Sequence, residues 1–171
     1  MTTPLHLITK EVRDRFFALD PASLNPTEKT SVIDLAIQVL EFEHQPGKSI
    51  TSPDATKKLL RLRLADCKNE VFGVLLLDTK NRLIAMEELF NGTLDGAAVY
   101  PRVVVQKALE RNAAAVTFFH NHPSGDPEPS QADQVITKRL KEALSLIDVR
   151  TLDHIVLGKQ GSVSMAERGL I

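Results

Sequence analysis

Ala115-Val116-Thr117-Phe118-Phe119-His120-Asn121-His122-Pro123-Ser124-Gly125-Asp126-Pro127-Glu128-Pro129-Ser130-Gln131-Ala132-Asp133 decides the reading of this 171-residue chain, because it passes from strand to turn to helix within nineteen residues. The apolar run Ala115 to Phe119 is short and bounded, the mark of a buried strand. Side chains two apart on a strand point to one side, so His120 and His122 share a face at its end. Pro123, Gly125, Pro127 and Pro129 then exclude helix and central strand. Ser130 opens a long amphipathic segment as an N-cap, and Asp133 in the first turn is folded back toward the histidines. Two imidazoles and one carboxylate make three protein ligands for one zinc ion per chain. The fourth tetrahedral position is left for water, as in catalytic rather than structural zinc sites.

Ser130 and Asp133 alone would amount to a cap and a dipole-favoured acid. The histidine pair beside a proline-stiffened loop is what raises them to a site. The letters His-Asn-His carry no weight for the nucleases named after them, which hold those residues far apart on a ββα unit.

Working outward, the main domain reads as α/β. A strand at Val71 to Leu77, a turn at Asp78 to Asn81 and a strand at Arg82 to Phe90 form a hairpin. Pro101 begins a helix with Val104, Val105, Ala108 and Leu109 as its apolar stripe, ending near Asn112. The segment from Gln131 to about Ile147 repeats apolar residues at helical spacing: Ala132, Val135, Ile136, Leu140, Ala143, Leu144 and Ile147. His154 to Leu157 and Ser162 to Met165, parted by Gly158 and Gly161, read as a closing hairpin. Residues 1 to 47 form a helical N-terminal segment, with helices near Thr9 to Leu19 and Ser31 to Glu43. Pro46-Gly47-Lys48-Ser49 breaks it from a main domain at 51 to 171.

The chain is 43% hydrophobic, enough for one real core. No apolar run approaches the ~18 residues of a membrane span, and the N-terminus does not read as a signal peptide. Cys67 is the single cysteine. A disulfide framework, a four-cysteine zinc site and the zinc deaminases are thereby excluded, core packing is its simplest role, and a cytoplasmic home is expected. No His-Glu-x-x-His helix is present for a zincin. The formal net charge of −1 argues against a dedicated nucleic-acid binder. Lys57, Lys58, Arg61 and Arg63, on a helix starting at Ser52-Pro53-Asp54, read first as a solvated face.

At the zinc motif the sequence resembles a known family. His-x-His, seven residues, then Ser-x-x-Asp is the signature of the JAMM (MPN-domain) metalloproteases, and its form here is similar to that of the bacterial RadC branch. The likeness extends through Phe72 to Asp78, Asn81-Arg82-Leu83-Ile84, Glu87, Leu89-Phe90, Gly92-Thr93, Tyr100-Pro101-Arg102, Asn112-Ala113-Ala114-Ala115, Asp153-His154 and Gly169-Leu170. It implies a mixed β-sheet flanked by helices, a three-layer arrangement like that of cytidine deaminases, behind a short helical extension. It also implies zinc-dependent hydrolysis of a peptide or isopeptide bond. Full-length RadC proteins are expected to carry a helix-hairpin-helix region whose hairpin needs glycine. No glycine precedes Gly47, so the N-terminal part resembles the short forms found on mobile elements.

Hydrolysis needs a carboxylate to take a proton from the bound water. Glu87 and Glu88 lie on one strand with opposite orientations, and spacing leaves them even; the resemblance selects Glu87. It also implies that Ser130 donates to the developing oxyanion. Asp153 and His154 suggest a supporting pair behind the site, although a satisfied core histidine is the simpler reading. Asp126 and Glu128 read as solvated, and so do His6 and His44. The expected partner is a peptide or protein substrate, with DNA bound weakly. The alternative is a DNA-repair or mobile-element accessory protein that holds a metal without turnover.

Overall fold

The computed structural model describes residues 20–43, 53–64, 67–92 and 98–171. Its elements are α1 (Pro26–Glu43), α2 (Pro53–Leu64), β1 (Val71–Leu77), β2 (Leu83–Asn91), α3 (Pro101–Glu110), β3 (Ala115–Asn121), α4 (Gln131–Ser145), β4 (Arg150–Gly158) and β5 (Gly161–Ser164). The expected helix at 9–19 and the break at 46–49 lie outside the described residues. Among the described residues, no helix is long and apolar enough to cross a membrane.

The chain divides into compact units at residues 1–35 and 36–171. Helix α1 starts five residues earlier than the expected Ser31. Asn25 and Glu28 form a capping box: the Glu28 N–H donates to Asn25 Oδ1 at 3.0 Å and the Asn25 N–H to Glu28 Oε2 at 2.8 Å. Pro26 at the first helical position needs no N–H partner, so the box sets the boundary.

The five strands form one mixed sheet in the order β2-β1-β3-β4-β5, antiparallel throughout except for the parallel pair β3/β4. That parallel pair needs a crossover, and α4 supplies it. Strands β1 and β3 are buried along their whole length. They are covered on both faces, which is why they read as unbroken apolar runs rather than alternating ones. One face packs Phe72, Val74, Leu76, Val116 and Phe118 against Val104 and Ala108 of α3 and Leu140 and Leu144 of α4. The other packs Leu75, Leu77, Phe119, Ile155 and Leu157 against Leu60 and Leu64 of α2, with Cys67 half-buried beside them. The result is the expected three layers of helix, sheet and helix.

Gly73 in β1 makes room for its neighbours within the sheet, the Phe119 ring of β3 and the backbone of β2. A Cβ there would lie 2.2 Å from the Phe119 ring and 2.8 Å from the Glu87 carbonyl oxygen. Two helix faces differ from expectation. Leu109 of α3 and Val135 of α4 are exposed, whereas Thr137 is buried. The buried line of α4 therefore runs through Thr137, Leu140 and Leu144, turned from the purely apolar stripe by a hydroxyl that has partners in the core. Strand β4 begins at Arg150, four residues before the expected His154, because its first residues pair with Ala115, Val116 and Thr117.

Candidate metal centre

Strand β3 ends where the site begins. Its parallel pairing with β4 runs one bond past the strand, from the His122 N–H to the Leu157 carbonyl at 2.8 Å, so the second histidine keeps strand geometry. His120 is buried, stacked on Phe72 with centroids 6.2 Å apart, while His122 stands at the half-exposed mouth. The loop after it turns on Gly125 at φ 94°, and its Gly125 carbonyl accepts from the Gln160 N–H at 3.3 Å. Gly158 lets that loop lie directly on β4, since a Cβ there would meet the Gly125 oxygen at 2.3 Å. So held, the Asp126 carbonyl sits 2.8 Å from His122 Nδ1.

Ser130 is the N-cap of α4, as its sequence position suggests. Its hydroxyl accepts from the Asp133 N–H at 3.1 Å, and Asp133 Oδ2 accepts from the Ser130 N–H at 2.6 Å, a reciprocal capping box. The Ser130 hydroxyl also donates to Asp133 Oδ2 at 2.6 Å. The carboxylate is thus oriented before any ligand arrives.

Three donors converge: His120 Nε2 and His122 Nε2 lie 2.9 Å apart, and the Asp133 carboxylate oxygens lie 3.3 Å from each of them. All three ligand atoms fall within 4.8 Å of one another. Because a carbonyl only accepts, His122 Nδ1 must carry a proton for Asp126. In the neutral ring its Nε2 is then a bare lone pair aimed at its neighbour. Two such nitrogens beside a carboxylate call for a cation among them. A proton on Nε2 can take the cation's place. The hydrogen bond to Asp133 holds His122 above its usual pKa despite partial burial, helped by the Asp126 carbonyl and the charges of Asp133 and Glu70. Burial pushes Asp133 up, but hydrogen bonds to His120 and His122 outweigh it and keep the carboxyl far below the ordinary range.

The other named residues divide clearly. His154 is completely buried and touches the site, its Nε2 2.8 Å from His120 Nδ1 and its Nδ1 2.6 Å from Thr137 Oγ1. Desolvation, with His120 adding, drives its pKa well below the ordinary histidine value. Asp153 faces away: it accepts from the Ser164 hydroxyl at 2.7 Å and the Ala166 N–H at 3.0 Å, fixing the C-terminal turn. Glu128 pairs with Arg168, and the Asp126 side chain caps its own loop at the Glu128 N–H.

Glu87 is not brought to the cluster. It lies on the same face as His120, since Val74 pairs with both Glu87 and Phe118. It is nevertheless two strands over, about 10 Å at ordinary strand spacing. Its carboxylate is taken up by Arg111 at 2.6 Å and Lys107 at 3.8 Å. Glu88 is exposed on the opposite face.

An acid whose charge acts on His122 is Glu70, which sequence reasoning passed over. In the antiparallel pair β1/β3, Phe72 faces His120, so the same register carried two residues further sets Glu70 across from His122. Asn121, between the histidines, points the other way and fastens this approach. Its Oδ1 accepts from the Val71 N–H at 2.7 Å and its Nδ2 donates to the Asn69 carbonyl at 3.1 Å, holding the backbone on both sides of Glu70. An acid set directly before a wholly apolar strand was the available signal, but its meaning depends on which strand lies alongside.

A strand-end pair of histidines facing a helix-capping aspartate, on a three-layer mixed sheet, places the molecule among the JAB (MPN) domains. Within that class the chain belongs to the RadC family, whose RadC-like JAB domain matches residues 50–170. Relatives bearing the name UPF0758 protein come from several bacteria. One from Vibrio cholerae is 56% identical over 138 residues, 81% of this chain and 87% of the relative. One from Shewanella amazonensis is 49% identical over 168 residues, 98% of this chain and 74% of the relative. In one from Cellvibrio japonicus, 55% identical, the match takes 62% of the relative, so this chain spans less than two thirds of that longer protein.

Proposed function

We propose that the chain is a zinc-dependent hydrolase of the JAMM type, cleaving a peptide or isopeptide bond. The observation that carries this reading is the convergence of His120 Nε2, His122 Nε2 and the Asp133 carboxylate around one point. Nitrogen and carboxylate donors, three in number, suit zinc with a position left over for water. A bound zinc ion would lower the pKa of its water toward about 7 and polarise the scissile carbonyl.

The remaining work falls to side chains of the chain. Glu70, whose charge acts on His122, would accept the proton of the water and return it to the leaving amine. Ser130, released from Asp133 Oδ2, can turn its hydroxyl to a developing oxyanion, while its N–H keeps the carboxylate in place. Glu87, paired with Arg111 and Lys107, has no part in this scheme.

Paired variants test the assignment. Glu70→Gln should retain zinc and lower peptide cleavage by about 10²- to 10⁴-fold, the usual worth of a general base. Glu87→Gln should leave cleavage near wild type. The reverse pattern would return the base to Glu87, and cleavage unaffected by loss of zinc would end the hydrolase reading.

A further inference from the structure

The chain of contacts behind His120 has one consistent arrangement of protons. It begins at the Asp133 carbonyl, which can only accept, so the Thr137 hydroxyl donates to it at 2.5 Å. A threonine hydroxyl has a single hydrogen, and with that hydrogen committed, Thr137 Oγ1 meets His154 Nδ1 as an acceptor. The His154 proton therefore sits on Nδ1. Its Nε2 is then a lone pair, and the ring facing it, His120, must present Nδ1–H across the 2.8 Å contact. The last consequence is at the site: His120 Nε2 is bare and directed at the point shared with His122 and Asp133.

We propose that Thr137 and His154 are positioning residues which, starting from the backbone of Asp133, hold His120 in the tautomer able to bind a cation. The inference rests on the metal reading above but not on the hydrolytic one. Its geometry is a closed circuit. Asp133 gives the cluster a side-chain carboxylate, and through its own carbonyl, Thr137 and His154 it orients the ligand on the neighbouring strand. All the polar members except Asp133 are almost fully buried: Thr137 and His120 are 1% exposed and His154 0%. No water competes at such positions, so a misplaced proton would leave a buried donor facing a donor.

Two substitutions separate orientation from mere packing. Thr137→Val keeps the shape and removes the hydroxyl, whereas Thr137→Ser keeps the hydroxyl and removes a methyl. The measurements are ¹⁵N spectra of the imidazoles in the metal-free protein and zinc affinity by competition with a chromophoric chelator. In wild type, His154 and His120 should both appear as the Nδ1–H tautomer. Thr137→Val should shift His120 toward Nε2–H and weaken zinc by about 10- to 100-fold, the usual worth of a partner behind a metal ligand. Thr137→Ser should restore both readings.

Wild-type spectra showing the His154 proton on Nε2 overturn the proposal, whether or not the valine variant folds. So does a folded Thr137→Val protein with unchanged tautomers and wild-type zinc affinity. If wild type takes up no zinc, the hydrolase reading fails, and the circuit is then decided by the spectra alone.

Discussion

Replacing Gly158 by alanine asks whether the loop lying on β4 is what holds His122. A Cβ at Gly158 falls 2.3 Å from the Gly125 oxygen, 2.7 Å from the Pro127 nitrogen and 2.9 Å from the Gly125 carbonyl carbon. All three are backbone atoms, so no rotamer relieves the clash. Contact near 3.5 Å requires the loop to retreat by about 1 Å. The Asp126 carbonyl, one residue from Gly125, would be carried with it, and its 2.8 Å bond to His122 Nδ1 would pass beyond hydrogen-bonding range. Overpacking of this kind costs about 1–3 kcal/mol. For a chain of this size that is a fall in Tm of about 2–12 °C. Losing the partner of a ligand should also weaken zinc by about 10- to 100-fold. Gly169→Ala is the control. Gly169 has φ 68° and nothing within 4 Å of an added Cβ, so its cost of about 1–2 kcal/mol is backbone strain without a clash. Thermal melts and zinc competition on both variants give the comparison. If Gly158→Ala melts lower yet binds zinc as tightly as wild type, the loop does not position His122 and the reasoning is refuted.

Four further outcomes are expected. Purified protein should hold about one zinc per chain by elemental analysis, lost on His120→Ala or Asp133→Ala; equal zinc in all three would remove these residues from the centre. Apparent zinc affinity should fall on acidification, because His122, held above the usual histidine pKa by Asp133, takes up a proton that zinc must displace; a flat profile from pH 8 to 6 would contradict this. Leu140→Ala, in the core, should cost about 2–5 kcal/mol in urea melts. Val135→Ala, on the exposed side of α4, should stay within about 0.5 kcal/mol, and equal losses would mean the helix face is misplaced. DNA binding should be weak and vanish at physiological salt, as the balanced charge implies; tight, salt-insensitive binding would favour the accessory role.

What the sequence made legible was local. The strand before His120, the proline turn, the Ser130 cap and the Asp133 turn all follow from neighbours within a few residues, and the structure brings those side chains together. Glu70 escaped because its place depends on β1 lying antiparallel to β3 in one register, a relation between residues about fifty positions apart. Glu87 attracted the base role through family pattern, but the cations Lys107 and Arg111 that engage it come from another element. Thr137 is absent from the apolar stripe that the helical spacing picks out. It is buried because His154 and the Asp133 carbonyl satisfy its hydroxyl, a fact no periodicity contains. The basic face of α2 is likewise reduced, since Lys57 pairs with Glu167 at 2.7 Å.

The three ligands His120, His122 and Asp133 occupy fourteen consecutive residues. A denatured chain keeps them tethered at that short separation, so it retains some grip on zinc. Ligand-induced stabilisation reports the difference between affinities for the folded and the denatured chain, and any hold by the latter subtracts from it. The denatured chain lacks the docking of His154 from β4, which only folding supplies. Zinc should therefore raise the melting temperature by less than its native-state affinity alone would give, and that shortfall measures how much of the centre survives when the sheet comes apart.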